Sequence, residues 1–271
     1  MDVALDALKG QTFKGEWEWI LVDELYDKRR NEVDEFIKET SIRAVAAGIV
    51  TILHIPPKMR LPERKYSYCN ALNSGLLRSH GELIVFLQEY TWVPPDWLER
   101  YWQAYDAYPN RLICGLKDRF SSMPATDNLE GLISIWNNHW TGDPSSLCKL
   151  IEKDKRGKEG VLVESSPELY DLDDASMPYA LVCALNGVDE RYGDGMSQIS
   201  LNISHRATGL GYMTVIDMRN IAREFNIYEY FPIDNAPIPD PNFELHKQTM
   251  MAIQRGEYSL RASNGFSLGV R

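Results

Sequence analysis

The residues best suited to chemistry in this chain are polar side chains placed directly after short apolar runs. Residues Leu83 to Leu87 read as a buried strand that leads into the triplet Gln88-Glu89-Tyr90. The run is bounded by turn signals and is too short for a membrane helix. Pro94-Pro95-Asp96-Trp97-Leu98 follows, and Pro95 suits the first turn of a helix, where its missing N–H costs little. A polar triplet at the C-terminal end of a parallel strand is where open α/β sheets place their ligands. Asp23 stands in the same way after the strand-like stretch Trp17 to Val22. It reads either as a ligand-binding carboxylate or as a turn or helix N-cap aspartate. Asp194 sits between Gly193 and Gly195, whose backbone freedom suits a tight turn and could also swing a side chain into a cleft.

The elements needed to position these groups alternate. Strands are expected over Trp17 to Val22, Val50 to Ile55, Leu83 to Leu87 and Arg111 to Leu116, with helices over Asn31 to Ala47, Ser67 to Ser79 and Pro95 to Ala107. This alternation argues for a mostly parallel sheet. A short helix is expected over Asp2 to Lys9, a strand over Tyr179 to Leu185, a helix over Ile199 to Thr208 and a strand over Met213 to Ile216. Between Ser121 and Tyr179 the pattern weakens into an aromatic cluster (Trp136, His139, Trp140), a basic block from Lys149 to Lys158 and an acidic block from Glu164 to Asp174. Such blocks read as solvated surface or as a loop that closes over a substrate. Phe231 to Pro241 reads as a linker, Phe243 to Gln254 as a last helix and Ser263 onward as a frayed tail. Residues 1–220 thus form the expected main domain and 221–271 a C-terminal extension.

The composition excludes several classes. The chain has 271 residues, 44% hydrophobic and 25% charged, with a net charge of −10. That length can bury one substantial core. The charge disfavours a broad nucleic-acid footprint and adsorption to an anionic membrane. No apolar run reaches the length of a bilayer span, and no signal peptide opens the chain. Cys69, Cys114, Cys148 and Cys183 show no Cys-x-x-Cys spacing, so reduced thiols in a cytoplasmic setting are expected rather than zinc.

Five blocks in order resemble the family 2 glycosyltransferases of the GT-A fold. They are Gln11-Thr12 with Trp19-Ile20-Leu21-Val22-Asp23-Glu24; Ala71-Leu72-Asn73-Ser74-Gly75-Leu76; Gly81 to Leu98; Asn186-Gly187-Val188-Asp189-Glu190-Arg191-Tyr192; and His205-Arg206 to Gly211-Tyr212. The resemblance implies a GT-A-like three-layer α/β/α sandwich with a mostly parallel central sheet. It also implies transfer of a sugar, with inversion, from a nucleotide-sugar donor, UDP-type favoured, to an unidentified acceptor. On this reading Asp23 accepts a hydrogen bond from the nucleotide base, and Arg64, Lys65, Asn73 and Glu89 complete the donor side. Asp189, Glu190 and Trp136 lie on the acceptor side. Arg64 and Lys65 read equally as surface charges, Asn73 as a locally packed helix residue and Trp136 as core.

The chain departs from the family pattern at three places. Where the family carries an acidic triplet for Mg2+ or Mn2+, only Glu89 of Gln88-Glu89-Tyr90 is a carboxylate, so Glu89 would hold the ion weakly. Where the family carries a Glu-Asp pair with the catalytic base, the chain reads Ser197-Gln198 or Ile199-Ser200 by alternative registers. Asp194 is the nearest carboxylate and takes the role of base in this reading. The family's first strand has no counterpart before Gln11-Thr12, so Trp17 to Val22 is expected to border a gap or an unusual neighbour. The rival to sugar transfer is a non-catalytic relative that binds a nucleotide sugar, a glycan or a protein.

Overall fold

A computed structural model describes residues 4, 7, 8, 10–45, 49–59, 68–121, 148–157, 161–192, 198–225 and 241–269. The fold is mixed α/β. In chain order the elements that matter here are β1 (Trp17–Val22), α1 (Tyr26–Val45), β2 (Ile49–Ile55), α2 (Tyr68–Arg78), β3 (Leu83–Leu87), β4 (Thr91–Trp92) and α3 (Trp97–Ala107). They continue with β5 (Arg111–Phe120), β6 (Leu150–Glu152), β7 (Leu162–Ser165), β8 (Asp174–Pro178), α4 (Tyr179–Leu185), α5 (Ile199–Gly209), β9 (Met213–Phe225) and α6 (Pro241–Gln254).

Two sheets organise the described residues. β1 and β2 pair in parallel as a two-stranded sheet. The other sheet has the path β3-β8-β5-β9-β4, with β6 added on β5 and β7 on β9. It is mixed, because β8 runs antiparallel to both β3 and β5 while β5 and β9 are parallel. β8 was not evident from sequence. Asp174-Ala175-Ser176-Met177-Pro178 lacks the β-branched residues that favour strands, yet all five residues are buried between two neighbours.

Among the described residues β1 has β2 as its only strand neighbour, and β3 has β8. Side chains join the two sheets instead. Trp17 and Trp19 pack with Leu83, Val85 and Leu87 around a cluster containing Ala7, Leu8, Trp97, Tyr101 and Ile113. The Glu18 carboxylate also accepts from the backbone N–H groups of His80 and Gly81. This places the start of β1 beside the start of β3.

Three expectations change. Tyr179 to Leu185 is a helix, begun after Pro178 and ended by Asn186 in the left-handed region (φ 57°). The N–H of Gly187 then bonds Val182 O at 2.9 Å, an end seen at many helices. β9 extends to Phe225, well beyond the strand expected over Met213 to Ile216, with a register shift against β5 after Ile216. Finally, residues 264–269 are not frayed. Asn264 Nδ2 donates to Asn186 O and Val188 O at 2.7 and 2.9 Å, and Leu268 is buried. The described helices include none long and apolar enough to cross a membrane, and all four cysteines are unpaired.

Candidate functional site

Asp23 follows the last residue of β1, and its backbone N–H still bonds Ile55 O of β2 at 2.9 Å. The chain turns there because the side chain accepts from the N–H of Leu25 at 2.8 Å, a local bond that aspartate makes readily. α1 then brings Arg29 back over the same carboxylate. Arg29 Nη2 and Nε donate to its two oxygens at 2.7 and 2.8 Å. His54 Nε2 stands 3.1 Å from Oδ2, and His54 Nδ1 stands 3.0 Å from Asp34. Asp23 is 1% exposed. Burial pushes its pKa up, but the bonds from Arg29, Leu25 and His54 outweigh this and leave it below the ordinary aspartate value. Four bonds engage about all the acceptor sites a carboxylate has.

Glu89 lies in the turn after β3, half-exposed, with Oε2 3.8 Å from Arg29 Nη2. Asp23 and Glu89 therefore share one edge of the fold, where β1 and β3 both end, and Arg29 bridges them. Asn73 belongs elsewhere. Its Nδ2 donates to Val188 O and Glu190 Oε1, both at 2.9 Å, and its Oδ1 accepts from the Val188 N–H at 2.9 Å. Gly187, at φ +75°, is required at this contact, since a Cβ there would meet Asn73 Oδ1 at 2.4 Å. Lys58 Nζ pairs with Glu190 at 2.5 Å. Asp189 is 2% exposed and is held by Arg191 and by Tyr258 at 2.8 Å. Asn73, Glu190 and Lys58 thus form one bonded unit, with Asp189 held separately by Arg191 and Tyr258. Arg64, Lys65, Trp136 and Asp194 lie outside the described residues.

Sequence reasoning missed a second set of ionised groups beside the β3 turn. Lys117 Nζ lies 3.0 Å from Asp171, 3.2 Å from Asp173 and 2.9 Å from Glu224. Burial lowers its pKa, but the carboxylates more than reverse this, so it stays charged. Tyr68 OH donates to Asp173 at 3.1 Å. Asp174, next in sequence, is fully buried. Trp97 Nε1 and Tyr101 OH donate to its Oδ1 at 2.7 and 2.8 Å, and Oδ2 has no partner. Burial raises its pKa to about 7 despite those two bonds. Gly115 makes the room, since a Cβ there would lie 2.3 Å from Asp174 Oδ2. The signal in the sequence was two adjacent aspartates at a run's end, but their partners are far along the chain.

The chain matches the model of glycosyl transferase family 2 over residues 2–162. It belongs to that family. No curated protein matches the chain. The solved structures it resembles include TarS of S. aureus, residues 1–349, at 12% identity and TM-score 0.55, covering 93% of this chain and 65% of that one. TarS 1–349 in complex with UDP gives 14% identity and TM-score 0.52, covering 100% of this chain and 71% of that one. A longer TarS structure gives 14% identity and TM-score 0.54, and this family 2 chain, matched over 100% of its length, spans 43% of it. At these identities the likeness establishes the GT-A fold.

Proposed function

We propose that this family 2 protein transfers a sugar from a UDP-type donor to an acceptor hydroxyl, with inversion. The observation that carries the reading is the meeting of Asp23 and Glu89, two strand-end carboxylates, at one edge through Arg29. A TarS structure was solved with UDP, which favours the same nucleotide here. The acceptor oxygen forms a bond to the anomeric carbon as the bond to the donor phosphate breaks, and the electron pair leaves on the diphosphate. The hydroxyl proton goes to a carboxylate, for which Asp194 is our assignment. Asp189, Glu190 and Trp136 are assigned to the acceptor side. Four unpaired cysteines fit a cytoplasmic setting.

UDP release from a panel of UDP-sugars tests this, with calorimetry of UDP alongside. Release above the uncatalysed rate from at least one donor is expected. A second reading has an observation behind it: the oxygens of Asp23 and the amide of Asn73 are already engaged by the protein itself. That favours a non-catalytic relative, and UDP binding without release from any donor would establish it.

A further inference from the structure

The residues at the β3 turn do not fit a divalent ion. Mg2+ and Mn2+ take about six hard oxygen ligands and rely on carboxylates for charge. The turn offers one carboxylate, Glu89, beside the amide of Gln88 and the phenol of Tyr90. Gln88 is 9% exposed, so its amide is largely withdrawn from the surface. No three His, Cys, Asp or Glu side chains gather as a metal site among the described residues. Glu89 also already faces a cation, Arg29, at 3.8 Å, and a guanidinium there repels a second cation.

We infer that the protein takes its nucleotide diphosphate without a divalent ion, with Arg29 supplying the positive charge. This rests on the UDP-sugar reading above. Arg29 is well placed for the role. Asp23 fixes it through two bonds of 2.7 and 2.8 Å. His54 and Asp34 back Asp23 in turn at 3.1 and 3.0 Å, so the guanidinium is pre-set rather than recruited. Its contact with Glu89 is long, and the Glu89 side chain is 51% exposed. Such exposed pairs contribute little, so phosphate oxygens can take the place of Glu89 at small cost. A guanidinium offers forked N–H donors matched to phosphate oxygens. Asp23 then acts as a positioning residue for Arg29 and not as a reader of the base.

The test is calorimetry of UDP, UMP and uridine with the full chain, in EDTA and in Mn2+, for wild type, Arg29→Gln and Arg29→Lys. The inference expects UDP affinity within about twofold in the two buffers. It expects Arg29→Gln to lose roughly 10- to 100-fold in UDP affinity, with uridine binding unchanged and Arg29→Lys between the two. Unchanged uridine binding excludes simple misfolding. UDP binding that requires Mn2+ overturns the inference and leaves the UDP-sugar reading standing. UDP binding unaffected by Arg29→Gln overturns the role of Arg29. No UDP binding in either buffer removes the UDP-sugar reading, and this inference with it.

Discussion

Two buried aspartates near the β3 turn have their pKa values pushed in opposite directions by their neighbours. Asp23 has Arg29, whose bonds hold its pKa below the ordinary aspartate value. Asp174 has two neutral donors and an unpartnered oxygen, and its pKa rises to about 7. In the unfolded chain Asp174 titrates near 3.8. The folded form therefore binds the proton more tightly. Its contribution to stability is complete below about pH 4 and is lost as pH rises to 7, with a total on the order of 4 kcal/mol. Denaturant unfolding should show stability falling from pH 5 to pH 8, with a flatter curve for Asp174→Asn. Parallel curves for the two proteins would mean that Asp174 takes up no proton. For Asp194, replacement by Asn should lower turnover about a hundred- to ten-thousand-fold while UDP affinity holds. Unchanged turnover would remove it as the base. Asp23 and Glu89 were legible because a carboxylate within two residues of a strand-like run marks its end. The partners of Asp174 were not, because Trp97 and Tyr101 lie 77 and 73 residues away in sequence.

At the scale of elements, the C-terminal segment fastens the loop at 185–190. Arg206 of α5 is fully buried and has oxygen acceptors rather than a carboxylate in direct contact. It donates to Leu260 O at 2.9 Å, to Gly187 O and Asn202 Oδ1 at 3.3 Å each, and to Leu185 O. Asn186 binds Ala262 O and Phe266 O at 2.9 and 3.0 Å from the other side. Replacing Arg206 by Met leaves several buried carbonyls without donors, at about 1–3 kcal/mol each. A loss of at least about 3 kcal/mol in chemical denaturation is expected; a loss under 1 kcal/mol would show that the segment does not depend on it. Elements with strong periodicity or dense β-branching were legible: the expected Trp17 to Val22 and Leu83 to Leu87 are β1 and β3. The apolar run of α4 could not be told from a strand, because a short buried segment has no polar face in either form. The tail after Ser263 looked disordered since its small and polar residues bond to a loop about 75 residues earlier, which local pattern does not reveal.

For the whole molecule, the separation of the two sheets sets a gradient of stability. β5 and β8 are buried along most of their length and have strands on both sides, whereas every residue of β1 is half-exposed. Regions with few buried contacts and exposed backbone bonds open first. Amide exchange in Trp17–Val22 should therefore be faster than in Arg111–Phe120 and Asp174–Pro178. UDP bound by Arg29, which Asp23 ties to the end of β1, should slow it selectively. Equal protection across both sheets, with or without UDP, would contradict this.

The buried Arg206 also has a consequence for biosynthesis. Its acceptor Leu260 O is 54 residues further along the chain, which a ribosome takes roughly three to ten seconds to add. Until then the guanidinium must stay hydrated, and the helix that carries it cannot seat against the loop at 185–190. The part of the molecule assigned to the acceptor is therefore the last to set during translation. A nascent chain stalled before residue 260 should be cut by protease at 185–190, a site the finished chain hides.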